Sequence, residues 1–135
     1  MSKDTDAIET LRKDYIAANS PGDLDRFMAT VTDDVVYMPP DHPALVGAKA
    51  IRAWVRDNFI TTVTMKLDWV FDEVQVNGNW AFVRGPFGLD LVSKSDGSKV
   101  HIKGKHLNVF QKQADGSWKI HRACFNNDQP VKQWT

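Results

Sequence analysis

Asn19-Ser20-Pro21-Gly22-Asp23-Leu24-Asp25 opens a segment that continues through Asp33-Asp34-Val35-Val36-Tyr37 and Pro39-Pro40-Asp41-His42-Pro43 to Gly47 and Ile51. Ser20-Pro21-Gly22 is a combination that ends a helix. Asp23 is a good cap, and Leu24, Phe27, Met28 and Val31 behind it fall at i, i+3, i+4 and i+7, one face of a second helix. Asp33-Asp34 is expected to stop that helix. Val35-Val36-Tyr37 is a short β-prone run closed by Pro39-Pro40. The residues to Val46 read as a loop stiffened by three prolines. Gly47 precedes a third helix, with Ile51, Trp54 and Val55 on one face.

Towards the N-terminus, residues 5–19 read as a helix. Ile8, Leu11, Tyr15 and Ala18 make one apolar stripe. Asp4 or Thr5 can cap it, with Asp6 and Glu9 in the favourable first turn. After residue 62 the period changes from helical to alternating. Asn77-Gly78, Ser95-Asp96-Gly97 and Asp115-Gly116 are turn signals. They divide the rest into four strands, 64–76, 79–93, 99–112 and 117–126, expected to form an antiparallel meander. Residues 128–135 make a short tail that Trp134 can dock. The fold class is α+β, three N-terminal helices on a strongly curved antiparallel sheet, and residues 1–135 read as one domain without repeats or linkers.

The 135 residues are 42% hydrophobic and 25% charged, an ordinary globular composition. Lys plus Arg and Asp plus Glu number 17 each, so a basic excess that would track phosphates is missing and no nucleic-acid partner is expected. Cys124 is the single cysteine, which excludes an internal disulfide and a thiolate metal cage. No apolar run approaches the roughly 20 residues of a membrane span. Met1 to Glu9 is polar and acidic, unlike a signal peptide, so a cytoplasmic location is expected.

Strand parity sorts the side chains. Ile102, Gly104, His106, Asn108 and Phe110 share one face of the third meander strand. Trp118, Ile120, Arg122, Cys124 and Asn126 share one face of the last. Ala81, Val83, Gly85 and Phe87 share one face of the second, where Ala81 and Gly85 suit close approach by a helix. These sets are assigned to the concave, helix-covered face. Trp80, Phe82, Leu107, Val109, Ala123 and Phe125 fall on the other face, which is too apolar for solvent. That face packs on a second copy as a homodimer, or a bulge shifts the parity.

In this order, Gly22-Asp23-Leu24-Asp25, Asp33-Asp34-Val35, the Gly47–Ile51 helix start, Gly78-Asn79-Trp80-Ala81 and Gly116-Ser117-Trp118-Lys119-Ile120 resemble the nuclear-transport-factor-2-like superfamily. Within it, the match is to SnoaL-like and ketosteroid-isomerase-like proteins. The resemblance implies a cystatin-like cone with a deep pocket at its open end, and frequent homodimers. It implies no single activity, since such proteins include isomerases, cyclases, dehydratases, hydrolases and binding domains. Ketosteroid isomerase uses an Asp base with a Tyr and a protonated Asp as oxyanion donors. Tyr15 matches the donor tyrosine. Pro39 stands at the position of the base and His106 at that of the protonated aspartate, which argues against steroid isomerisation by that route.

On this reading the candidate catalytic residues are Tyr15, His106, Asn108 and Arg122. His106 is an acid/base group or a buried, tethered histidine. Tyr15 and Asn108 stabilise oxyanion charge, or Tyr15 is a core tyrosine. Arg122 anchors a ligand's acidic group or pairs internally. Tyr37, Trp54, Trp69, Phe87, Cys124 and Asn126 are candidate lining residues. Asp41-His42 reads as solvated loop, and the strip His101, Lys103, Lys105 as a solvated strand face. Histidine spacing offers no metal site, and neither a metal nor a cofactor is expected. The expected function is binding of a small apolar oxygenated molecule, with cofactor-free acid/base chemistry or with binding alone.

Overall fold

The computed structural model describes residues 3–20 and 22–131, so Pro21 and Trp134 lie outside the described residues. Helix α1, Lys3–Asn19, buries Ile8, Leu11 and Ala18, three positions of the expected stripe. Asp4 lies inside its first turn rather than capping it, and pairs with Lys112 at 2.9 Å. Helix α2, Leu24–Met28, is capped by Asp23, whose carboxylate accepts from the Arg26 amide at 3.0 Å. Helix α3, Ala48–Val55, buries Ile51 and Val55 and continues as a π-helical turn over Arg56–Ile60.

Val31 was expected on α2, and Asp33-Asp34 as its stop. Both expectations are corrected. The Thr30 hydroxyl bonds back to the Phe27 carbonyl at 2.6 Å, and strand β1, Val31–Met38, has already begun. The β-branched run Thr30-Val31-Thr32 disfavours helix and suits a strand. Asp33 and Asp34 are exposed inside β1, where its register with the last strand shifts.

The remaining strands are β2, Leu45–Val46; β3, Val63–Trp69; β4, Glu73–Asn77; β5, Trp80–Ser93; β6, Lys99–Lys112; and β7, Trp118–Asn127. They form one sheet in the order β2-β1-β7-β6-β5-β3, with β4 also paired to β5. The meander is antiparallel as expected, and β1 runs parallel beside β7. The strand expected over 64–76 breaks at Val70–Asp72 into β3 and β4, which pair with the two halves of β5. Leu45–Val46, expected as loop, pairs with β1. Among the described residues no helix is long and apolar enough to cross a membrane.

Parity holds on β5 and β6, where Ala81, Val83, Phe87, His106, Asn108 and Phe110 are all buried. It fails on β7. Val109 pairs with Arg122 but Phe110 pairs with Ile120, so His121 is one residue extra. Beyond this bulge every side chain changes face. Ala123 and Phe125 turn inward, and Arg122, Cys124 and Asn126 turn outward, which corrects the placement of all five. The bulge meets the irregular stretch of β1. Thr32 Oγ1 lies 3.2 Å from His121 Nδ1, and Arg122 Nη1 donates to the Asp34 carbonyl at 3.0 Å.

Gly85 is approached by backbone rather than by the helix expected there. A Cβ at Gly85 would stand 2.1 Å from the Val70 carbonyl oxygen, so the break between β3 and β4 requires glycine opposite it.

Candidate functional site

The helices and the concave sheet face line a cavity of about 80 Å³ that is partly open to solvent. Its α-helical wall carries Tyr15 from α1, Phe27 from α2, and Trp54 and Val55 from α3, with Phe59 from the π-helical turn. On the sheet side, β3 contributes Met65, Leu67 and Trp69, and β5 contributes Phe87 and Leu89. His106 and Asn108 come from β6, and Ile120, Ala123 and Phe125 from β7. Among the described residues the wall carries no Asp, Glu, Lys or Arg side chain.

Tyr15, Tyr37, Trp54, Trp69, Phe87, His106 and Asn108 were read from the sequence, and all seven meet here. The others lay within reach of simple patterns. Met65, Leu67 and Trp69 alternate with the exposed Thr64, Lys66 and Asp68 along β3. Phe27 stands on the stripe of α2. Only Ala123 and Phe125 were hidden, by the β7 bulge.

The chain has two tyrosines, and their hydroxyls lie 2.9 Å apart on the cavity wall. Burial pushes Tyr15 up to about 12 and Tyr37 well above the usual phenol value. Both phenols, neutral at physiological pH even unperturbed, are thus still harder to ionise here. One hydroxyl donates to the other, which leaves the second proton of the pair to donate elsewhere.

His106 is 6% exposed, and both its ring nitrogens are engaged. Nε2–H donates to the Val70 carbonyl at 2.8 Å. Nδ1 accepts from the Asn108 side-chain amide at 3.0 Å. Burial lowers its pKa, against the smaller raising effects of the Val70 carbonyl and Asp72. It is thus a neutral imidazole, held by its neighbours and packed at a tilt against Trp69 and Phe71.

The other candidates stand apart from the cavity. Arg122 donates to the main-chain carbonyls of Asp34 and His121. Cys124 and Asn126 lie on the outer face beside Leu107 and Lys105. His42 Nδ1–H donates to the Pro43 carbonyl at 2.7 Å, in the loop after β1. His101 pairs with Asp90, and Lys105 with Asp128 at 3.0 Å, all exposed. Among the described residues no group of His, Cys, Asp or Glu could hold a metal ion.

Comparison with known proteins agrees with this geometry. The model of the SnoaL-like domain family matches residues 13–122. A ketosteroid isomerase-like protein from Erwinia carotovora atroseptica is 31% identical, with a TM-score of 0.80 over 92% of this chain and 95% of that one. A conserved protein from Planctomyces limnophilus superposes with a TM-score of 0.84 at 21% identity, over 92% of this chain and 97% of that one. A type 2 hexachlorocyclohexane dehydrochlorinase shares the fold with a TM-score of 0.78 at 13% identity, over 96% of this chain and 88% of that one. No curated protein sequence matches the chain. The chain belongs to the SnoaL-like domain family and carries the nuclear-transport-factor-2-like cone.

Proposed function

We propose that this protein binds a small apolar molecule bearing an oxygen function inside the cone, with the Tyr15–Tyr37 hydroxyl pair as the polar contact. The carrying observation is that pair, set in a wall otherwise built mainly from aromatic and aliphatic side chains. Pockets of this kind are mostly apolar, with a few placed polar groups that fix orientation. The hydroxyl already bonded within the pair is polarised, and the free proton it leaves suits a carbonyl or hydroxyl oxygen. The commitment of both His106 nitrogens to Val70 and Asn108 favours binding over acid/base turnover.

Calorimetric titration with 2-cyclohexenone tests this reading. Tyr15→Phe should weaken binding about five-fold, the worth of one neutral hydrogen bond of about 1 kcal/mol. Equal affinity in wild type and variant contradicts it.

We infer further that two copies associate through the outer sheet face. Met38, Cys124 and Leu107 form one cross-strand row there, next to Phe82, Val109 and Trp80. Leu107 is 53% and Trp80 43% exposed, which is costly for a free monomer. Zero net charge leaves no overall repulsion between copies.

A further inference from the structure

We propose that the ligand of the cone is an electrically neutral molecule of no more than one ring. This deepens the reading above and rests on it.

Charge is the first argument. Among the described residues no carboxylate, ammonium or guanidinium group faces the cavity. Among the described residues the titratable side chains on its wall are Tyr15, Tyr37 and His106; the phenols are neutral at pH 7 and burial raises them further, while burial favours the neutral His106 imidazole. Arg122, the group best suited to hold a ligand carboxylate, is turned to the outer face and bonded to main-chain carbonyls. A charged ligand would therefore lose its hydration and meet no countercharge, a heavy cost. A neutral carbonyl or hydroxyl loses less, and the free tyrosine proton restores what it loses.

Size is the second argument. The cavity holds about 80 Å³. An apolar cavity of about 150 Å³ takes one benzene ring, and ligand clefts commonly span about 300–1,000 Å³. One ring already requires some yielding of the wall. Most of that wall is sheet and α1, tied together by Arg12 Nε donating to the Trp69 carbonyl at 2.7 Å. Trp54 and Phe59, on the helical side of the wall, meet edge-on with ring centroids 4.9 Å apart. Phe59 sits on the π-helical turn, and π-turns mark places where a helix departs from its regular ladder. Displacing this one contact admits a single ring. Phe87 and Phe125, held on sheet strands, pack edge-on against each other at 5.7 Å and offer a second fused ring no comparable place to seat inside the wall.

The experiment is a calorimetric panel at pH 7: phenol and 2-cyclohexenone, benzoate as the anion of the same size, and 2-naphthol and a four-ring steroid ketone as larger neutral molecules. Each is titrated into wild type, Tyr15→Phe and Tyr37→Phe, so that one misfolded variant leaves the other. Phenol and 2-cyclohexenone should bind, weaken about five-fold in a variant, and exceed benzoate and the larger molecules by at least about ten-fold. Benzoate, naphthol or steroid binding as tightly as phenol, with the same sensitivity to the tyrosines, overturns the size or charge limit and leaves the binding reading standing. If no member of the panel binds, or if phenol binding is the same in both variants as in wild type, the limit and the binding reading both fall.

Discussion

Gly85 sets what His106 can do. Because Gly85 has no side chain, the Val70 carbonyl swings in towards the sheet, and His106, the cross-strand partner of Gly85, donates to it. A histidine at this inner position was legible from strand parity. Its tether was not, because the carbonyl comes from a backbone break between β3 and β4 that no turn signal marks. The tether has a pH signature. His106 titrates near pH 6.5 when unfolded and lower when folded, because burial disfavours the imidazolium. Between those two values the unfolded chain binds more protons, so stability is complete above about pH 6.5 and falls as pH drops through the window below it. His121 is lowered in the same direction, first by burial and then by Arg122, and shares the window. Melting temperatures between pH 7 and pH 5 should therefore decline less in His106→Gln than in wild type. Equal slopes would place the titration elsewhere.

At the scale of elements, legibility followed locality. Asn77-Gly78, Ser95-Asp96-Gly97 and Asp115-Gly116 carry their turn chemistry in consecutive residues, and the strands they bound fall within a residue of their expected ends. Gly78 adopts φ +63°, the sign that the first residue of a type II′ turn requires. The bulge at His121 is different. It exists because β7 must pair with β6 on one side and with the irregular β1 on the other, and nothing in His121-Arg122-Ala123 announces it. One extra residue exchanged Arg122, Cys124 and Asn126 for Ala123 and Phe125 in the cavity wall. Asp33-Asp34, which read as a helix stop, is different again: the β-branched run Thr30-Val31-Thr32 before it is a local strand signal, and the pair falls inside β1. A pair of truncations tests the assignment. Phe125→Ala should cost about 2 kcal/mol or more in a denaturant titration, because it empties cavity wall. Arg122→Ala should cost about 1 kcal/mol or less, because its bonds are to partly exposed carbonyls. The reverse order would restore the unbulged strand.

At the scale of the whole molecule, the described residues present an apolar surface on each side of the same sheet. The inner one is closed by helices into the cone. The outer one, from Met38 across Leu107 to Trp80, is open to a second copy. Sedimentation at micromolar concentration should show a dimer, and Leu107→Asp should convert it to a monomer with the cone intact. A monomeric wild type contradicts the association. Binding in the cone is the central claim, and a crystal of the protein soaked with 4-bromophenol tests it most directly. The bromine's anomalous signal should lie inside the cone, with the phenol oxygen about 3 Å from the Tyr15 or Tyr37 hydroxyl. Bromine found only on the outer face, with the cone unchanged, would contradict the account.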